Sequence, residues 1–275
     1  MARTAIAAAR GAMGGLAVWA LAGAAQAVPP YNMPAGVTEI SQEVYRLHMV
    51  IFWICVAIGV VVFGAMFYSI LNHRKSKGHQ PAQFHESTTV EIVWTVIPFA
   101  ILIFMAVPAA KTLIQMYDSS EADMTVKITG YQWKWKYDYV DEGISFYSNL
   151  ATPADQIYAG AKKDDNYLLE VDNELVVPVG KRIRFLITAD DVIHAWWVPD
   201  LAVKKDAIPG FINDFWTKID KPGIYRGQCA ELCGRYHGFM PVVVRAVEPA
   251  EYEKWVAERK AQAVARTDET GPEAG

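Results

Sequence analysis

Cys229-Ala-Glu-Leu-Cys233-Gly-Arg-Tyr-His237-Gly-Phe-Met240 gathers two thiols, an imidazole and a thioether into one short stretch. Soft and borderline donors in this combination ask for copper. The chain has only three cysteines, and two of them are here. A structural zinc site favours CxxC pairs and has no use for a thioether. A disulfide would account for the cysteines but not for His237 and Met240, so both readings stand as alternatives to copper. One more donor has to come from elsewhere, and His194 in Asp190-Asp191-Val192-Ile193-His194-Ala195-Trp196 is the candidate. A lone histidine beside tryptophans also reads as a packed core side chain. A ligand set divided between distant segments needs a fold that clusters its loops at one end, and a β-sandwich does so.

The surrounding sequence agrees with a sandwich. From Asp118 onward, short β-rich runs predict strands at 125–129, 167–171, 182–187, 224–226 and 242–247. Turn signals such as Val171-Asp-Asn173, Ile208-Pro-Gly210 and Lys221-Pro-Gly223 separate them and point to an antiparallel arrangement. Residues 250–266 have helical composition, and the remainder to Gly275 reads as a tail. No repeat or dinucleotide-binding glycine motif occurs, and the absence of Cys-x-x-Cys-His excludes an attached c-type haem. Between Asp118 and Glu248 there are 20 acidic against 15 basic side chains, a mild excess that suits a basic partner but is also ordinary for a solvated surface.

Ahead of this region the chain is far more apolar, which raises the hydrophobic fraction to 52%. Residues 1–27 place Arg3 and Arg10 before an apolar run and end on Ala25-Gln26-Ala27, the layout of a cleaved secretory signal, with a signal anchor that stays attached as the alternative. Two uncharged stretches, 49–71 and 92–110, are each long enough to span a bilayer, and the second carries Pro98 and Pro108. The loop between them holds Arg74, Lys75 and Lys77, which places it in the cytoplasm. An exported N-terminus gives the same orientation. The domain from residue 118 therefore lies outside the cytoplasm, where unprotected thiols oxidise. Cys229 and Cys233 must then be metal-bound or disulfide-bonded, while Cys55 in the first span reads as a packing residue.

At this point six ordered motifs identify the chain as similar to subunit II of the haem-copper cytochrome c oxidases. They are Val90-Glu-Ile-Val-Trp-Thr95, Tyr131-Gln-Trp-Lys-Trp135, Leu169-Glu-Val-Asp-Asn173, Asp191-Val-Ile-His-Ala-Trp196, Lys205-Asp-Ala-Ile-Pro-Gly210, and Gly227 through Pro241. The resemblance implies an N-terminal two-helix transmembrane hairpin at 28–117 and an all-β cupredoxin-like Greek-key sandwich at 118–248, followed by a C-terminal helix and tail at 249–275. It implies a binuclear copper centre, CuA, held by His194, Cys229, Cys233, His237, Met240 and the main-chain carbonyl of Glu231. The Glu231 carboxylate is implied as a ligand to Mg2+ or Mn2+ shared with subunit I, a hard ion that prefers oxygen.

The same resemblance implies that electrons from cytochrome c arrive at Trp133, which on its own reads as a core-packing aromatic. Asp138, Asp172 and Asp191 are implied in docking cytochrome c, and Glu91 in the mouth of a proton path, although an acid at a helix start has a plainer explanation. The implied partners are subunit I, with subunit III, cytochrome c and the lipid bilayer, and no nucleic acid. The implied setting is the periplasmic face of a bacterial inner membrane. Tyr131 departs from the family pattern, since many relatives carry His two residues before the first tryptophan. A quinol oxidase subunit is the alternative on the same scaffold, disfavoured because that branch lacks the copper ligands. A thiol-redox copper chaperone would need a thioredoxin-like βαβ pattern, and a nitrous-oxide reductase would need a further large domain.

Overall fold

The computed structural model describes residues 31–78 and 80–269; the expected signal segment lies outside them. Two long helices come first, α1 (Glu39–Asn72) and α2 (Thr88–Tyr117). The start of α1 is fixed by a capping box: the Thr38 hydroxyl accepts from the Ser41 amide and the Ser41 hydroxyl accepts from the Thr38 amide. Charges on α1 are confined to Glu39, Glu43 and Arg46, and on α2 to Glu91 and Lys111. The uncharged runs between them contain both expected spans, and both helices are long and apolar enough to cross a membrane. At 34 residues α1 is about 51 Å long at ~1.5 Å per residue, so it overshoots a hydrocarbon layer of ~30 Å. Pro98 and Pro108 sit inside α2, and the Thr112 hydroxyl donates to the Pro108 carbonyl one turn back.

The rest of the chain is a sandwich of two five-stranded sheets. One sheet has the order β3-β2-β1-β5-β8, from β1 (Met124–Tyr131), β2 (Lys134–Tyr139), β3 (Ile144–Ser148), β5 (Arg182–Ala189) and β8 (Asn213–Lys218). The other runs β4-β10-β9-β6-β7, from β4 (Leu175–Pro178), β6 (His194–Val198), β7 (Val203–Ala207), β9 (Gly223–Cys229) and β10 (Pro241–Val247). Strict alternation in β5 buries Ile183, Phe185, Ile187 and Ala189, and in β2 it buries Trp135, Tyr137 and Tyr139. Between the sheets Trp196 lies 5.6 Å from Phe185 and 5.9 Å from Phe215, ring centre to ring centre.

Two expectations need correction. The sandwich is mixed, not purely antiparallel, because β1 pairs with β5 and β4 with β10 in parallel. The expected strand at 167–171 is a turn region: Leu168 takes φ 62°, which ends extended backbone, and only Val171 bridges, to Leu150. The expected C-terminal helix is present as α3 (Pro249–Glu269), which seats Trp255 against Tyr139 and Phe146, with Tyr252 stacked on Trp255.

The helices and the sandwich are joined at two places. The α2 chain runs on into β1, with the Trp216 indole donating to the Gln115 carbonyl and the Ser119 hydroxyl to Asp214. The residues before α1 form a second strap: the Val37 amide donates to Asp200, the Val37 carbonyl accepts from Asp220, and Thr38 bridges Ile219.

Candidate metal centre

The ladder itself brings the distant segments together. Trp196 of β6 pairs with Cys229 of β9, so His194, two residues upstream, faces the end of β9. The 229–240 loop is the connection between β9 and β10, closed at its base by Pro241 opposite Gln228 and by the Cys229 amide donating to the Met240 carbonyl. Gly130 on β1 makes room for the imidazole: a Cβ there would lie 2.8 Å from His194 Cδ2.

The four soft donors converge. Cys229 Sγ lies 3.8 Å from Cys233 Sγ and 4.0 Å from His194 Nδ1, and Cys233 Sγ lies 3.5 Å from His237 Nδ1 and 3.6 Å from Met240 Sδ. The Glu231 carbonyl oxygen is 3.3 Å from Cys229 Sγ. A sulfur separation of 3.8 Å is far beyond the ~2.05 Å of a disulfide, yet one ion ~2.3 Å from each sulfur would touch both. His194, Cys229, Cys233 and Met240 are buried, His237 is half-buried, and the Glu231 side chain points to solvent. The donor set therefore fits a thiophilic metal with oxygen, nitrogen and thioether at its periphery.

Electrostatics prepare the site unevenly. Burial pushes the Cys229 thiol up, but hydrogen bonds from His194 and from main-chain groups outweigh it and leave it below its ordinary value. Cys233 moves well up, through burial and then through the charge on Cys229. Burial works against a charged His194, and its contacts with Cys229 and Asp191 outweigh that, raising it.

Asp191 and the β1–β2 turn form a brace around the donors that the sequence did not reveal. Asp191 Oδ1 is 2.9 Å from His194 Nε2, which turns Nδ1 toward the sulfurs, and Oδ2 accepts from the Gln132 amide at 2.7 Å. Burial pushes the Asp191 carboxyl up, and these hydrogen bonds outweigh it and hold it below its ordinary value. The Gln132 side chain and the Trp133 indole both donate to the Cys233 carbonyl, at 2.9 and 3.1 Å. Trp133 lies in this turn, half-buried, and meets Tyr236 edge-on at 4.9 Å. Gly234 takes φ 115°, and a side chain there would press on Gln132 and Trp133 at 3.1 Å. A glycine flanking a ligand cysteine was the available signal for this close approach.

The other expected site residues are spread out. Asp172 accepts from the Asn149 amide and side chain at 2.7 and 2.8 Å. Asp138 pairs with Lys136 at 3.0 Å and accepts from Ser145, four residues along β2 from Lys134, or ~13 Å at ~3.3 Å per residue. Glu91 is exposed in the first turn of α2, at the opposite end of the helix from the sandwich.

Fold and site together define a class: a β-sandwich protein with a cysteine-histidine cluster able to hold a metal, tethered to a membrane by a helical hairpin. The comparisons supply the family. Residues 28–112 match the family model for the transmembrane domain of cytochrome C oxidase subunit II, and residues 124–247 that for its periplasmic domain. Relatives include the probable cytochrome c oxidase subunit 2 of Rickettsia bellii (strain RML369-C), 39% identical over 222 residues that cover 81% of each chain. Cytochrome c oxidase subunit 2 of Cereibacter sphaeroides is 35% identical over 237 residues, covering 81% of this chain and 78% of that one. The solved periplasmic domain of cytochrome oxidase subunit II from Bradyrhizobium japonicum shares 45% identity over 52% of this chain and 98% of its own, with a TM-score of 0.47.

The chain belongs to the cytochrome c oxidase subunit II family. It is a two-pass inner-membrane protein with its C-terminal domain in the periplasm, and it acts as a subunit of the oxidase.

Proposed function

We propose that the donor cluster holds two copper ions and is the point through which electrons from a cytochrome c pass to haem in subunit I, where oxygen is reduced. Two thiols 3.8 Å apart, with an imidazole beside each, are the observation that carries this reading. Cys229 and Cys233, with His194, His237, Met240 and the Glu231 carbonyl, would hold the copper pair, which would supply a one-electron couple. The protein's part is to keep the donors fixed: β6 and β9 hold His194 against Cys229, and Asp191 locks the imidazole. Burial of both sulfurs keeps water from them.

Trp133 is proposed as the residue that receives the electron. Its indole reaches the Cys233 carbonyl directly while its ring remains half-exposed. Asp172 and Asp191, with Asp138 farther along the sheet, are proposed to attract a basic cytochrome c. The Glu231 carboxylate, turned outward from the copper donors, is proposed to hold Mg2+ or Mn2+ against subunit I, and Glu91 to begin a proton path. Subunit III is proposed as a further neighbour in the assembly.

Copper stoichiometry and EPR of the intact subunit test the central claim. Two coppers per chain sharing one unpaired electron are expected; a single copper, zinc, or a chain that takes up no copper would overturn it. Trp133→Ala should leave that spectrum unchanged, because Gln132 still satisfies the Cys233 carbonyl, while slowing reduction by cytochrome c. An unaltered rate would remove Trp133 from the path.

A further inference from the structure

The helical hairpin carries two adjoining cavities that differ in chemistry and follow one another along the helices. The upper, about 720 Å³, lies where α1 and α2 meet the sandwich and is lined by Glu39, Arg46, Lys111, Arg182 and Trp216 among others. The lower, about 250 Å³, lies between the helices and is lined by Leu47, Val50, Ile51, Phe104 and Met105. Arg46 and Pro108 line both, so the two spaces are continuous at that level. Arg46 and Lys111 are also the last charges on their helices before the uncharged runs begin. The level at which the cavities meet is thus the level at which charged side chains give way to the uncharged runs of both helices.

We propose that this double cavity is a binding site for one phospholipid of the outer leaflet, its zwitterionic headgroup in the upper cavity and an acyl chain in the lower groove. The charges argue for a ligand that carries both signs. Arg46 is already paired with Glu43, and Arg182 stacks on Trp216 and donates to the Asp118 carbonyl. Lys111 and Glu39 line the same cavity, and among the described residues neither makes a direct ion-pair contact, although the Lys111 charge also acts on Glu43 in the same lining. A phosphodiester facing Lys111 and an ammonium facing Glu39 would satisfy both. Fixed walls favour a resident ligand over passing solvent: the Trp216 indole is held by the Gln115 carbonyl, and Thr112 by the Pro108 carbonyl. Below them the short side chains of Pro108 and Ala109 keep the interhelical groove open for a chain.

The test uses the intact oxidase, reconstituted in phosphatidylethanolamine vesicles doped with a phosphatidylethanolamine that carries a photoactivatable group in one acyl chain. Labelled peptides are located by mass spectrometry, with haem and metal spectra as the control for an intact assembly. Adducts should concentrate in residues 46–51 and 104–109. They should fall roughly fivefold in Lys111→Glu, in line with the ~1 kcal/mol contributed by one cation near a headgroup. They should disappear in Ala109→Trp, which fills the groove while leaving the charges in place. Unlabelled phosphatidylethanolamine should compete better than phosphatidylglycerol, which lacks the ammonium. Adducts spread evenly along both helices, or unchanged in both variants, would overturn the proposal. Equal competition by phosphatidylglycerol would overturn the zwitterionic assignment. Labelling seen only with the free subunit, and not in the oxidase, would show that another subunit fills the groove and would also overturn it.

Discussion

At the scale of single residues, the centre depends on groups that touch no metal. Asp191 orients His194 through Nε2, and a carboxylate in that position is typically worth ~10–100-fold in metal affinity. Asp191→Ala should therefore lose copper to a competing chelator at about that ratio, with a shifted copper absorption band; a change under about threefold would show that β6 alone holds the ring. Gly130→Ala is expected to be as damaging from the other side, because its methyl would meet His194 Cδ2 at 2.8 Å. Overpacking of this kind costs ~1–3 kcal/mol, and chemical unfolding of the metal-free chain would measure it. The donors themselves were legible in sequence because chemistry selects their residue types. Asp191, Gln132 and Gly130 were not legible in these roles, since a carboxylate, an amide and a glycine acquire them only when β1, β6 and the ligand loop meet.

Among the secondary-structure elements, legibility followed periodicity. The two spans, β1, β5, β9, β10 and α3 announce themselves by apolar runs, alternation or helical composition. The alternation Lys134-Trp-Lys-Tyr-Asp-Tyr139 marks β2 equally well. Tyr167–Val171 misled because its apolar residues suit a strand while Asp164 and Asn166 turn the chain just before it, with Asp164 accepting from the Asn166 amide. Parallel pairing of β1 with β5 could not be read at all, since it depends on a connection running around the sandwich.

One contact at this scale makes a pH prediction. The Ser119 hydroxyl and, after it, Arg184 hold the Asp214 carboxyl below its ordinary value, pinning the segment after α2 to β8. A depressed pKa means that this stabilisation is complete above the unfolded value of ~3.9 and is lost as pH falls through the folded one. Asp214→Asn should melt below the parent at pH 7, and the gap should close on acidification below about pH 4. A gap that persists at pH 2 would assign the loss to packing.

For the whole molecule, charge sets the encounter with the proposed electron donor. With 20 acidic against 15 basic side chains between Asp118 and Glu248, the exported domain should attract a basic cytochrome c at long range. The bimolecular rate should fall by at least about tenfold between ~10 mM and ~500 mM salt, as the Debye length shrinks from ~30 Å to a few ångströms. A flat profile in stopped-flow measurements would mean that apolar contact alone governs docking.

The two attachments of the sandwich have a mechanical consequence. A body hung from one point swivels freely, whereas the strap at Val37–Thr38 and the chain leaving α2 suspend this domain from two. Jump distance to the membrane partner is then fixed by the pose of the hairpin, not averaged over orientations, so a flexible insertion in either suspension would broaden a single transfer rate into a distribution.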